Sequence, residues 1–206
     1  MSGLLKDEAT PPKYGTVTVG IIIPPIDYSF LQLQNIEDIA NEEPRLPKGS
    51  SSQNLKKDSN NRWITESLKL NNNRLDNIED IVEVTRKIIS DSFMLTWIDF
   101  SCNSLTTISD KILSFANLKL LNLHGNKITE ITEVDKLNSL PNLLKLSLHG
   151  NPIENEKNYF YYVLGRIPKL INLDFTGISP GDRKTAQTFQ TMIFKTGNRR
   201  KVKNRH

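Results

Sequence analysis

The stretch from Leu118 to Ile153 constrains the fold more than any other, because LKLLNLHGNKI returns 25 residues later as LLKLSLHGNPI. Leu118, Leu121, Leu123, Asn126 and Ile128 reappear at Leu143, Leu146, Leu148, Asn151 and Ile153 in the register L-x-x-L-x-L-x-x-N-x-I. A fixed period of this length means that each unit is one small supersecondary piece, unable to bury its apolar side alone, which must stack on its neighbours. In such a stack each L-x-L forms a short strand of a parallel sheet, with its leucines in the core and the intervening residues facing out. Burying one such leucine contributes about 1.5 to 3 kcal/mol, and four full units supply about twenty of them. The asparagine serves a different purpose, since its amide can satisfy backbone groups where the chain leaves the strand, which would otherwise be buried and unpaired.

The same template can be laid over the chain from Trp63. The first unit uses Leu68, Leu70, Asn73 and Leu75, with Thr65 in the opening leucine position, and the second uses Leu95, Ile98, Phe100, Asn103 and Leu105. The last keeps Leu170, Leu173 and Phe175 as inward residues but has Ile178 where the asparagine belongs. From Asn73 the spacings are 30, 23 and 25 residues, then 27 to Ile178. The longest interval accommodates a helix over 80–89 with Ile81, Val84, Ile88 and Ile89 facing inward. From Asn158, NYFYYVLGR places aromatic residues on a helix that Pro168 ends, and Ser179-Pro180-Gly181-Asp182 reads as a turn opening a helix through about Met192. The expected fold is an α/β solenoid of about five repeats, with a parallel concave sheet and a helical C-terminal cap. Its parts are an extended N-terminal segment (1–25), an N-terminal cap and polar loop (26–62), the solenoid (63–178), a capping helix (179–194) and a basic tail (195–206).

The segment TVTVGIIIPP fits three roles: capping the solenoid, pairing with a partner's sheet edge, or disorder, with the first two preferred. RLPKGSSSQNLKKDSNN, from Arg45 to Asn61, reads as an exposed loop. The longest apolar run, Val17 to Ile26, contains Gly20, Pro24 and Pro25 and falls short of the roughly 20 residues of a membrane span. The start MSGLLKDEATPPK lacks the order of a secretory signal, and Cys102 is the only cysteine, so a cytoplasmic location without disulfides is expected. The net charge of +4 belongs to the tail, because Arg199, Arg200, Lys201, Lys203 and Arg205 leave 22 basic against 23 acidic groups in the remaining chain.

Outward positions of the strands should form three columns: Ser67, Trp97, Leu120, Lys145, Asn172; then Lys69, Asp99, Asn122, Ser147, Asp174; then Asn71, Ser101, His124, His149, Thr176. Trp97 beside Leu120 makes an apolar spot that either anchors a partner or packs under neighbouring side chains. The candidate partner-binding set on this face is Trp97, Asp99, Leu120, Asn122, His124, Lys145, Ser147 and His149. His124 and His149 fall side by side, but a zinc site needs three or four ligands, and neither has an obvious Ser or Cys nucleophile in a triad, so they read as scaffold variants. No catalytic residue, metal or cofactor is expected. The tail offers salt-sensitive attraction to an acidic surface such as tubulin or to nucleic acid, and equally suits a solvated tail or localisation signal; with no interleaved aromatics, nucleic acid is disfavoured.

These repeats with a terminal aromatic helix resemble the short-repeat subclass of leucine-rich repeat proteins, as in protein-phosphatase regulatory subunits, dynein light chain 1 and other ciliary proteins. A narrower likeness, to one orthologous group over residues 24 to 193, is carried by PPIDYSF (24–30), EEPR (42–45), SLKLNNNRL (67–75), WIDFSCNSL (97–105), NPIENEKNYFYYVL (151–164) and LDFTGIS (173–179). The resemblance implies a non-enzymatic scaffold or adaptor of the ciliary or flagellar axoneme. Its partners would be cytoskeletal proteins such as dynein, radial spoke or microtubule-associated chains, without membrane contact. The alternative it implies is a regulatory subunit of an enzyme such as a protein phosphatase.

Overall fold

The leucine columns assemble one seven-stranded sheet in the computed structural model, which describes residues 23–46 and 55–203, with side chains as far as Met192. Its strands are β1 (Ile26–Asp27), β4 (Ser67–Lys69), β5 (Trp97–Asp99), β6 (Leu120–Asn122), β7 (Lys145–Ser147), β8 (Asn172–Leu173) and β9 (Thr176–Gly177), in that spatial order. A separate small hairpin pairs β2 (Lys56–Lys57) with β3 (Trp63–Ile64). Every pair in the main sheet from β1 to β8 is parallel, with Leu68, Ile98, Leu121, Leu146 and Leu173 in one register, and all five are buried.

Interval length sets what covers the convex side. The longest interval holds α1 (Ile81–Ile88), which buries Ile81, Val82, Val84 and Thr85, the threonine hydroxyl donating back to Ile81 O at 2.7 Å. Shorter intervals have room only for tight 3-10 turns at Asp110–Ser114 and Ile131–Ser139. The stack closes with α2 (Tyr159–Arg166), and α3 (Pro180–Lys203) packs on it through Ala186.

The asparagines stitch neighbouring repeats together. Asn126 Nδ2 donates to Leu123 O of its own turn at 2.8 Å and to Phe100 O of the previous turn at 3.0 Å, while its Oδ1 accepts from Leu105 N at 3.0 Å. Asn103 and Asn151 repeat all three bonds, and Asn73 repeats them against Tyr28 O and Leu33 N. Two residues before the asparagine in their turns, His124 and His149 face outward. One residue before it, Gly125 and Gly150 adopt φ of +68° and +71°, the left-handed conformation also held by Asn72 and Cys102. A Cβ on Gly150 would lie 3.3 Å from Gly125 N, so this column is tight as well as left-handed.

Four differences from the sequence expectation stand out. The solenoid starts at residue 26, not 63, since β1 pairs in parallel register with β4 and buries Ile26, and the turn after it buries Tyr28, Leu33, Ile36 and Ile39. Burial, with Glu43 nearby, pushes the Tyr28 phenol up to about 12 even though Trp63 hydrogen-bonds to it. The loop over 45–61 contains β2, and Arg45 N bonds to Asp27 O at 2.6 Å across the free edge of β1. Phe175 is not in the core: it is 66% exposed, because the chain reverses at Asp174 and Phe175 (φ 49° and 63°) into the antiparallel β9. Finally, α3 does not stop near Met192 but runs to Lys203, with no proline after Pro180 to end it. Arg199, Arg200, Lys201 and Lys203 therefore lie on helical backbone, where cations suit the C-terminal end of the dipole. Arg205, residues 1–22 with TVTVGII, and residues 47–54 lie outside the described residues.

Candidate protein-interaction face

On the concave side the first expected column is in register, with Ser67, Trp97, Leu120, Lys145 and Asn172 side by side, and the second as far as Lys69, Asp99, Asn122 and Ser147, whereas Thr176, expected to end the third, pairs with Leu173 in the antiparallel β9. The second column is a hydrogen-bonded chain. Ser101 Oγ donates to Asp99 Oδ1 at 2.6 Å, Asn122 Nδ2 donates to Asp99 Oδ2 at 3.1 Å, and Ser147 Oγ donates to Asn122 Oδ1 at 3.1 Å. With its one hydroxyl proton directed at Asn122 Oδ1, Ser147 is left to accept from His124 Nδ1–H at 2.8 Å, which assigns the tautomer of that imidazole. At the far end of the sheet Lys69 Nζ lies 2.9 Å from Asp27 Oδ2. Burial pushes the Asp27 carboxyl up, but Ser29 and Lys69 outweigh it and hold it below its ordinary value.

This geometry sorts the sequence candidates. Asp99 (7% exposed) and Ser147 (2%) are buried and hold the face rigid from within; they are not contact residues. Trp97, Leu120, Asn122, His124 and His149 are half-buried, and Lys145 is exposed. Trp97 is thus less open than expected, and its Nε1 is buried without a hydrogen-bond partner. The structure does place a serine on a histidine, contrary to expectation, but Ser147 is enclosed and its hydroxyl accepts from the ring, the reverse of an activated nucleophile.

His124 and His149 stack with centroids 4.6 Å apart and planes 10° from parallel, so their in-plane ring nitrogens run side by side and do not converge on one ion. Burial lowers the His124 pKa, and the neighbouring His149 adds to the effect, while Asp99 and Asp174 oppose it. Phe175, read from the sequence as core, closes the group: its ring meets His124 and His149 edge-on at 5.5 and 5.3 Å. Asp174 completes the hairpin by taking the place of a missing strand, its Oδ1 accepting from Leu148 N at 2.6 Å and His149 N at 2.9 Å. Tyr159 donates to the other oxygen at 2.8 Å, and burial with Asp174 beside it pushes that phenol well above its ordinary range. The signals for this reversal were Ile178 in the asparagine position and Gly177 after D-F-T.

The leucine-rich repeat family model matches residues 94–203. Over 172 residues the chain is 43% identical to leucine-rich repeat-containing protein 51 of Rattus norvegicus and 42% identical to that of Homo sapiens, covering 84% of this chain and 88% of each relative. The chain belongs to the leucine-rich repeat-containing protein 51 family. The bovine relative extends the match to 183 residues at 39% identity, 89% of this chain. Among solved structures, the Drosophila melanogaster SNF/U2A' complex contains a chain of the same fold, with a TM-score of 0.58 at 21% identity, covering 82% of this chain and 84% of that one. Family and fold are those of leucine-rich repeat interaction modules, and no catalytic family is indicated. Among the described residues, no helix is long and apolar enough to cross a membrane.

Proposed function

We propose that this protein is a non-catalytic scaffold or adaptor that holds other proteins on its concave face. The observation that carries this reading is the division of labour across that face. Its buried polar side chains are paired with one another from Ser101 to His124, while Phe175 is exposed and Leu120 only half-buried. Polar side chains already paired from Ser101 to His124 need no reorganisation before binding, while Trp97 Nε1, His149 Nδ1 and Asn71 Oδ1 are buried atoms of this face without a hydrogen-bond partner. Trp97, Leu120, Asn122, His124, Lys145 and His149 form the contact surface. The cations at the end of α3 add attraction to acidic surfaces, tubulin among them, that salt should weaken.

The setting we propose is the axoneme of a motile cilium or flagellum, with dynein, radial spoke or microtubule-associated chains as partners; it rests on the family resemblance in the repeats and cap. Purification of the tagged full chain from ciliated cells, beside a variant carrying Trp97→Ser and Leu120→Ser, tests it. Axonemal chains should co-purify in stoichiometric amounts with the wild type and be lost from the variant. A stoichiometric phosphatase catalytic chain would favour the regulatory-subunit alternative, and a pool without ciliary enrichment would remove the axonemal assignment.

A further inference from the structure

The hairpin that ends the sheet carries more than a cap needs. Phe175 occupies left-handed backbone at φ 63° and is 66% exposed, so its position strains the chain and recovers little through burial. Its ring is nonetheless held in place by edge contacts to His124 and His149. It lines a recess of about 40 Å³ together with Leu120, Asn122, Lys145, Leu146, Ser147 and Asn172. A single water needs roughly 10 to 15 Å³ by a comparable measure, so the recess has room for about three waters or one side-chain tip, and Leu120, Leu146 and Phe175 make its lining suit an apolar one.

Two properties define the occupant. Of the polar lining, the Asn122 amide is engaged at both ends by Asp99 and Ser147, which leaves the Asn172 amide, without a side-chain hydrogen bond among the described residues, and Lys145 to meet the occupant. The charge at the rim has one sign. Lys145 lines the recess, is exposed, and forms no ion pair among the described residues, whereas Asp174 of the same hairpin is committed to Leu148 N, His149 N and Tyr159. Beside Lys145 and Asn172 in the chain, Leu144 and Ile171 are 36% and 49% exposed, and Ile171 N bonds to Leu144 O, so adjacent strand ends carry further open apolar surface.

We propose that this recess anchors an acidic peptide segment of a protein partner, which seats one aliphatic side chain between Leu120 and Phe175 and pairs a neighbouring carboxylate with Lys145. The inference rests on the concave-face reading and sharpens it, moving the anchor from Trp97 to the terminal hairpin.

A displayed library of random short peptides, selected on the full chain, provides the test. Selected peptides should combine an aliphatic residue with a nearby Asp or Glu, and synthetic copies should lose about tenfold or more in affinity on Phe175→Ser and on Lys145→Glu. Replacing the peptide carboxylate with lysine should restore binding to the Lys145→Glu chain. Circular dichroism of both variants guards against misfolding, and Lys145→Glu, at an exposed position outside the hairpin, keeps the test decisive if Phe175→Ser unfolds. The proposal is overturned if no peptides are selected, if those selected lack acidic residues, or if both variants bind as the wild type does. In that last case, loss of binding on Trp97→Ser would leave the concave-face reading standing, whereas no loss from any of the three would remove both. Self-association abolished by Phe175→Ser would instead assign the recess to a second copy of the chain and overturn the peptide reading.

Discussion

The imidazole rings of His124 and His149 lie face to face at 4.6 Å, in the turns that follow the adjacent strands β6 and β7. Two cations cannot share this spacing without strong repulsion, and burial already disfavours charge on His124. With its folded pKa held below the unfolded value of about 6.5, His124 takes up its proton more readily in the unfolded chain. Its stability contribution is therefore complete above that value and falls away as pH drops through it towards the folded pKa. Thermal unfolding followed from pH 8 to pH 5, as roughly spaced steps across the histidine range, should show a steeper fall in Tm for the wild type than for His124→Asn. Parallel curves would remove the role assigned to the stack.

The asparagine ladder predicts a stability defect of definite size. Asn126→Ala leaves Leu105 N, Phe100 O and Leu123 O without their side-chain partner in a buried setting. Losing three such bonds should cost roughly 2 to 4 kcal/mol, read as a lower urea midpoint at unchanged slope. Asn126→Asp should be nearly as damaging, because a carboxylate keeps the acceptor but supplies neither donor.

The interior repeats were legible in the sequence because each inward position is filled by an aliphatic or Phe side chain and each turn by asparagine, so pattern and physics coincide from Leu68 to Ile153. The ends were less legible for opposite reasons. At the N-terminus, Leu31 stands where the asparagine should be, and the ladder bonds to that turn come from Asn73 of the next repeat, whose Oδ1 accepts from both Leu31 N and Leu33 N. The unit at residue 26 thus lacks its own marker. At the C-terminus the spacing continued to suggest a repeat, and only backbone reversal at Asp174 and Phe175 turned an apparent core residue outward. Among candidate site residues, register placed the strand columns correctly from Ser67 to Asn172, but it could not show that Asp99 and Ser147 would be enclosed by hydrogen bonds from neighbouring strands.

The first turn should behave as part of the cooperative unit. Ile26 is fully buried against the leucine column, and Ile26→Ala removes several methyl groups from packed surroundings. At the edge of a stack the cavity can partly collapse, so a loss of about 2 to 3 kcal/mol is expected, near the low end for such substitutions. Denaturation followed by fluorescence and by circular dichroism should give one coincident transition. Separate transitions would mean that residues 26–46 form an appendage and not a solenoid turn.

Asp174 offers a test of the terminal reversal that does not depend on any partner. Its carboxylate replaces a strand for two amides, Leu148 N and His149 N, and Tyr159 holds it in place from the α2 side. Tyr159→Phe keeps the buried ring but removes one charge-assisted hydrogen bond, which should cost about 1 to 2 kcal/mol. Asp174→Ala should do more locally, since both amides lose their acceptor while the leucine column stays intact. Amide hydrogen exchange then separates the two effects: Leu148 and His149 should exchange faster in Asp174→Ala, with Leu121 and Leu123 unchanged apart from any global shift. If protection at Leu148 and His149 survives the substitution, the side chain is not standing in for the missing strand, and the hairpin must be held by its β8–β9 pairing and by Phe175 against the histidines.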